Sequence, residues 1–469
     1  MIAFDLMAPV MFAALILFVL IGYPVAFSLA AVGLAFGGIA IELGYFHTSL
    51  LQALPQRVFG IVANDLLLAI PFFTFMGAIL ERCGLAEDLL EGFGQLFGPL
   101  RGGLSYAVIL VGAVLGAITG TVAASVIAMG LISLPVMIRY GYSMRHATGV
   151  IAASGTITQL IPPSLVLIVL ADQLGRSVGD MYAGAIGPSI TQVLLFCAFV
   201  ALVGIFRPKD VPALPIEART LRGWQLIWKC TWGMVPSLVL IFLVLGTILM
   251  GLATPTEGGA MGAVGALILA AMHGRLTWDL CWQSMDTTMR ITAMVVFILV
   301  GSNVFTLVFR GVDGDLWIEH MLTGLPGGAV GFLIVVNLFV FFLAFFLDFF
   351  EIAFIIIPLL APVAAKLGID LIWFGVLLGA NMQTSFMHPP FGFALFYLRG
   401  VAPPQVKSSD IYWGAIPWVI LQLIQVGIII LWPGLVTSFI DTGTGVDPAS
   451  IQIQIAPLDE VPALDMNAP

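Results

Sequence analysis

Apolar runs of about 18 residues or more, the length of a bilayer span, recur in this chain from one end to the other. In hydrocarbon, non-helical backbone is tolerated only where protein or a water-filled cavity covers it. The chain is therefore read as an all-α polytopic membrane protein. Its charge agrees: 9% of the residues are charged and 60% are hydrophobic, against about 25% charged in soluble proteins. With a net charge of −9 and no basic patch, there is no nucleic-acid footprint. The cysteines Cys83, Cys197, Cys230 and Cys281 show no CxxC or metal spacing and read as apolar thiols. No Lys or Arg precedes Arg57, so the basic start of a signal peptide is missing and the first run is expected to be retained.

Against that background, "TITQLIPPSL" (156–165) is anomalous. Each proline removes a backbone donor and crowds the carbonyl four residues back, costing about 3 kcal/mol in a helix interior. A second pair follows, Pro389-Pro390, and a shift of 227 residues carries one onto the other. The same shift places Pro135, Val136, Gly141 and Ala153 on Pro362, Val363, Gly368 and Ala380. It also places Gly84, Asp88 and Leu89 on Gly311, Asp315 and Leu316. The chain is thus expected to hold two repeats, 1–205 and 233–440. A Pro-rich, basic linker, 206–232, joins them, and an acidic tail, 441–469, follows.

Each half reads alike. Two helices come first, parted at "GYP" (22–24) or "ATPTE" (253–257), then a third over 55–80 or 284–310. A lateral amphipathic piece follows. A re-entrant hairpin is expected over 103–139 and 328–367, and a broken helix over 146–170 and 371–398. A last helix closes each half. With the hairpins not counted as crossings, each half crosses five times, so the second is inverted. Setting the linker in the cytoplasm puts thirteen of the 17 Lys and Arg inside, as the positive-inside rule asks. Both termini then lie outside.

The polar residues collect at the breaks. The first hairpin tip holds Gly120, Thr121 and Ser125, and the first break holds Ser154, Thr156 and Thr158 before Pro162-Pro163. The second tip holds Asp348 and Glu351, and the second break holds Asn381, Thr384, Ser385 and His388 before Pro389-Pro390. Broken helices bare carbonyl oxygens beside hydroxyls, a donor set for a hard cation such as sodium. Their N-termini present N–H groups to an anion. Inverted repeats with broken helices at mid-membrane mark secondary transporters. For any one Thr, hydroxyl bonding back to a helix carbonyl is the competing role. Asp348, Glu351, His388 and Asp65 are ionisable groups in spans: Asp348 is a candidate to ligate the cation or carry a proton, and Glu351, His388 and Asp65 are candidates for coupling or substrate contact. Proton coupling through them, or a stand-alone carrier of the same architecture, is the alternative to sodium. No HExxH occurs and no nucleophile–base pair stands out, so no enzyme is expected.

The motifs "LLLAIPFF" (66–73), "ITGT" (118–121), "IPPSL" (161–165), "TPTEGGA" (254–260), "LGID" (367–370) and "HPPFGF" (388–393) make the chain resemble the large membrane subunit, DctM type, of tripartite ATP-independent periplasmic (TRAP) transporters. The resemblance implies a sodium-driven elevator in the bacterial inner membrane. It also implies a small DctQ-type membrane subunit, a periplasmic binding protein that delivers an organic acid, and no cofactor besides the coupling ion. The chain departs from the family pattern at three places: Thr119-Gly120-Thr121 replaces SGS, "LDFFE" replaces LDP, and Met387-His388 replaces Leu-Thr before the second proline pair. "LDFFE" and "MHPPFGFALFYLRG" are similar to the branch associated with 2-oxo acids, hydroxy acids and other monocarboxylates.

Overall fold

Glycine and proline decide where the apolar runs turn. Gly22 ends Phe4–Ile21 with a left-handed φ of 92°, and Pro24 leads into Val25–Glu42. Thr254 starts Pro255–Met272 with a capping box: its hydroxyl accepts from Glu257 N and its N–H donates to Glu257 Oε2 at 2.8 Å. The computed structural model describes residues 3–119, 121–221, 223–390 and 392–440. Gly120 and the acidic tail 441–469 lie outside the described residues. Among those described, the regular structure is helical. Eight helices are long and apolar enough to cross a membrane, or up to 11 if each bent pair is one span.

Two elements differ from the sequence expectation. The helix expected over 55–80 is bent, with Thr48–Val62 and Asp65–Arg82 meeting at 47°. Asn64 causes the interruption, since its side chain accepts from Leu66 N and caps the second segment. Trp224–Ile241 begins inside the stretch read as linker, so 224–232 is helical. Its Trp224, Trp228 and Trp232 recur every four residues on an exposed face, as indole rings do at a membrane interface. The polar residues between them hid the helix.

The first hairpin is Gly103–Thr119 and Val122–Arg139. Its open end is closed by Leu104 N donating to Tyr142 Oη at 3.3 Å. Burial pushes the Tyr142 phenol up to about 12, which keeps it neutral. The start of the linker clamps the same end: Gly102 N donates to Val211 O and Ser143 N to Asp210 O. The second hairpin is Gly328–Leu343, then Phe349–Ile355 with Ile357–Lys366. Lys366 pairs with Glu319 on the preceding lateral helix, Gly314–Thr323.

Each hairpin is followed by a broken helix. Met144–Thr156 gives way to a 3₁₀ turn, Ile157–Gln159, and resumes as Leu165–Leu174. Leu371–Met382 passes into the 3₁₀ turn Gln383–Met387 and resumes as Phe393–Val401. Both Pro-Pro bonds are cis. The first break is covered by protein, with 157–160 and 162–164 buried and Ile161 half-buried. That burial is what irregular backbone at membrane depth requires. The closing helices are Val178–Phe206 and Ser408–Leu431. Their repeat shift is 230, which carries Asp180, Tyr182, Gly184, Ala185 and Gln192 onto Asp410, Tyr412, Gly414, Ala415 and Gln422.

Candidate functional site

At the first break the hydroxyls turn inward along their own helix. Ser154 donates to Val150 O (2.6 Å), Thr156 to Ala153 O (2.8 Å) and Thr158 to Gly155 O (2.9 Å). Back-bonding uses the proton and leaves the oxygen as an acceptor, so it does not compete with a ligand role. Ser164 donates to Gln159 O and caps Leu165–Leu174 through Val166 N.

Glycines bring the first hairpin onto this break. A Cβ on Gly112 would lie 2.8 Å from the Ser154 backbone, and one on Gly116 would lie 2.8 Å from Thr158 Cα. A Cβ on Gly155 would meet Val126 Cγ2 at 2.2 Å. Small residues at this spacing let two helices meet at backbone distance. Thr121 is the N-cap residue of Val122–Arg139, yet its hydroxyl makes no capping bond. Ser125 is buried on the first turn that follows.

The second break is built differently. The residues matching Gly112 and Gly116 are Phe339 and Leu343, so the arm cannot come as close. Asn337 takes up the contact: Asn381 Nδ2 donates to Asn337 O at 2.8 Å and to its Oδ1 at 3.0 Å. Thr384 donates to Asn381 O. Three buried acceptors here have no donor among the described residues: Asn381 Oδ1, Ser385 Oγ and Gln422 Oε1. His388 is packed between Phe341 and Phe345, at ring distances of 4.6 and 4.0 Å. The Ala344 backbone lies beside the ring, and neither nitrogen makes a well-formed hydrogen bond among the described residues.

Asp348 and Glu351 form a capping box at the second tip. Glu351 N donates to Asp348 Oδ1 (2.8 Å) and Asp348 N to Glu351 Oε2 (2.9 Å). Both face a cleft of about 470 Å³ walled by Pro24–Phe27 and by Met294 and Phe297. Asp65 is exposed at the start of Asp65–Arg82. Its carbonyl accepts from Thr256, and its carboxylate makes no hydrogen bond to either break among the described residues.

Sequence reading missed the residues that join the two breaks. Gln422 Nε2 donates to Thr156 Oγ1 at 2.8 Å, and Gln192 and Gln383 exchange amide bonds of 2.7 and 2.9 Å. Thr156 and Gln383 are repeat partners at shift 227, and Gln192 and Gln422 are partners at shift 230. Each break is therefore held by the closing helix of the other copy. The change of shift hid the pattern. Ser105 Oγ and His146 Nε2 also meet, at 2.9 Å, beside Phe199 and Trp418. Ser105 is wholly buried, and so the pair is not presented to a substrate.

A family model described as "Tripartite ATP-independent periplasmic transporter, DctM component" matches residues 12–435. The chain belongs to this DctM family. The C4-dicarboxylate TRAP transporter large permease protein DctM of Pseudomonas aeruginosa is 30% identical over 387 residues, covering 82% of this chain and 88% of its own. The isethionate TRAP transporter permease protein DctMQ of Oleidesulfovibrio alaskensis is 27% identical over 403 residues, covering 85% of this chain and 61% of its own. The Alcanivorax borkumensis YdaH transporter superposes with a TM-score of 0.59 at 15% identity, over 82% of this chain and 88% of that one, and shares the fold. This DctM-family chain is a multi-pass transporter permease subunit and not an enzyme.

Proposed function

We propose that this DctM-family subunit is the carrier of a sodium-driven organic-acid importer in the bacterial inner membrane. It works with a small DctQ-type membrane subunit and a periplasmic binding protein. The observation that carries the reading is the pair of buried helix breaks tied to each other through Thr156, Gln422, Gln383 and Gln192. The orphaned Asn381 Oδ1, Ser385 Oγ and Gln422 Oε1 beside the second break fit a cation, because a bound ion satisfies buried oxygens that lack donors. At the first break Thr156 and Thr158, with Thr121 and Ser125 from the hairpin, supply the matching oxygens.

In this reading the two repeats are inverted and both termini are periplasmic, with the 206–232 linker cytoplasmic. The hairpins and broken helices move as one elevator body. The substrate is an organic acid, the class to which the C4-dicarboxylate of the Pseudomonas relative's name belongs. Reconstitution of the complex in proteoliposomes with its binding protein tests the coupling. Uptake is expected to rise with an inward sodium gradient, and uptake indifferent to sodium would defeat it. A second reading couples protons through Asp348 and Glu351, which face a cleft against Pro24–Phe27. Uptake driven by a pH gradient in sodium-free buffer would favour it.

A further inference from the structure

Each hairpin leaves a hollow against the lateral helix that precedes it. Beside the first hairpin, a half-open cavity of about 360 Å³ lies between the lateral helix Leu85–Phe97, both helices of the hairpin, and the linker at Leu214 and Ala218. Beside the second, one of about 350 Å³ lies between Gly314–Thr323 and its hairpin. Small-molecule sites run from about 300 to 1,000 Å³. The 227 shift relates the two walls: Glu91, Gly94, Gln95 and Ser133 fall on Ile318, Met321, Leu322 and Leu360. The hollow is therefore built into the repeat. Among the described residues, polar side chains enter the first wall, whereas the second is apolar.

Those polar groups stand in two places. Glu87 and Glu91 are exposed at the rim, each beside a cation: Glu91 pairs with Lys229, and Glu87 lies 3.9 Å from Arg275. Ion pairs this exposed contribute little, so they open at small cost. Ser133 is 7% exposed in the wall, and its hydroxyl makes no hydrogen bond among the described residues and is not closed off from the cavity. Leu90, Leu104, Val108 and Ile132 make an apolar trough around it. The depth of the rim follows from the neighbouring helix, Trp224–Ile241, which packs on the same lateral helix: a Cβ on Gly92 would lie 3.0 Å from Cys230 Sγ. Its exposed Trp224, Trp228 and Trp232 mark the membrane interface, the level at which lipid headgroups lie.

We propose that the first cavity holds a phospholipid with a primary-ammonium headgroup, a phosphatidylethanolamine. The ammonium sits between the Glu87 and Glu91 carboxylates and the phosphate rests on Lys229 and Arg275, a zwitterion set into a rim that carries both signs. The Ser133 hydroxyl donates to an acyl-ester carbonyl, and one chain lies along the trough. A phosphatidylglycerol brings no cation for the two carboxylates, and a phosphatidylcholine has no N–H to donate to them. A soluble amine would leave the apolar wall uncovered. The second cavity takes a chain without choosing a headgroup. Nothing in this assignment depends on the coupling ion or on the substrate.

The test is native mass spectrometry of the purified membrane complex, delipidated in mild detergent and mixed with equal amounts of dioleoyl phosphatidylethanolamine, phosphatidylcholine and phosphatidylglycerol. The ethanolamine lipid is expected to be retained at least about tenfold over each of the others, because it alone gives charge-assisted hydrogen bonds to the carboxylates. Glu87→Gln with Glu91→Gln is expected to cut that preference to within about threefold, since neutral amides no longer attract the ammonium. Gly94→Met, which copies the second repeat, fills part of the trough and is expected to lower retention about tenfold by displacing the chain. A Cβ at Gly94 meets Leu104 Cδ2 at 3.4 Å, an ordinary contact. Phosphatidylglycerol retained as well as the ethanolamine lipid would overturn the proposal. So would a preference unchanged by both sets of substitutions, which would place the lipid elsewhere on the surface. The glutamine variant alters exposed side chains, so it decides even if Gly94→Met misfolds.

Discussion

Gln422 donates its side-chain amide to the Thr156 hydroxyl across 2.8 Å, although 266 positions separate them and they lie in different copies of the repeat. The reciprocal contact, Gln383 with Gln192, uses the matching residues of the opposite copies. In the proposed sodium-coupled reading, an ion at one break would rest on a scaffold that includes the other, and occupancy of the two is expected to be linked.

Replacing Gln422 with Leu removes the donor to the Thr156 oxygen while the Thr156 hydroxyl keeps its bond to Ala153 O, a loss of about 1 kcal/mol. The sodium concentration for half-maximal uptake is expected to rise about tenfold while membrane insertion stays normal. Sodium titration of uptake in proteoliposomes checks this; an unshifted midpoint would remove Gln422 from the ion scaffold.

Gly116→Ala should cost far more than Gly38→Ala. The first Cβ would meet Thr158 Cα at 2.8 Å, a backbone atom that cannot step aside, whereas nothing lies within 4 Å of the second. Loss of most uptake from the first variant and near-normal uptake from the second is expected. Equal activities would mean that the hairpin does not need its close seat on the break.

Asp348→Asn separates the roles open to that carboxylate. Asn caps a helix about as well as Asp, so if Asp348 acts as the N-cap of Phe349–Ile355 the variant should keep most of its sodium-driven uptake. Asp348→Ala, which loses the cap, should lose about 1 kcal/mol of stability, read as a lower melting temperature. If Asp348→Asn abolishes the pH dependence of uptake, the carboxylate carries a proton; if it abolishes the sodium response, the carboxylate ligates the cation.

Pro162→Ala combined with Pro163→Ala lets the helix run on through 157–164 and withdraws the bared carbonyls. Uptake should vanish while the protein still reaches the membrane. Normal uptake by this double variant would contradict an ion site at the first break.

Much of this architecture was legible because proline and glycine punctuate apolar sequence so sharply. Pro162-Pro163 and Pro389-Pro390 stand at the two breaks, and Gly22 and Pro24 part the first two helices. What escaped reading depends on distance rather than pattern. Asn337 lies in an apolar run, and only the fold brings it to Asn381. Gln192 and Gln422 were hidden because the second copy is three residues longer between break and closing helix. The bend at Asn64 turns on a single capping side chain. The cavity at Ser133 draws its walls from the lateral helix, the hairpin and the linker, and no local motif announces it.

The most direct test of the account is a high-resolution density map of the complex in sodium buffer, compared with one in choline buffer. A sodium-dependent peak is predicted at each break, ringed by main-chain carbonyls and by Thr156 or Thr158 at the first and Asn381 or Ser385 at the second. Identical density at both breaks in the two buffers, with no peak among those oxygens, would contradict it.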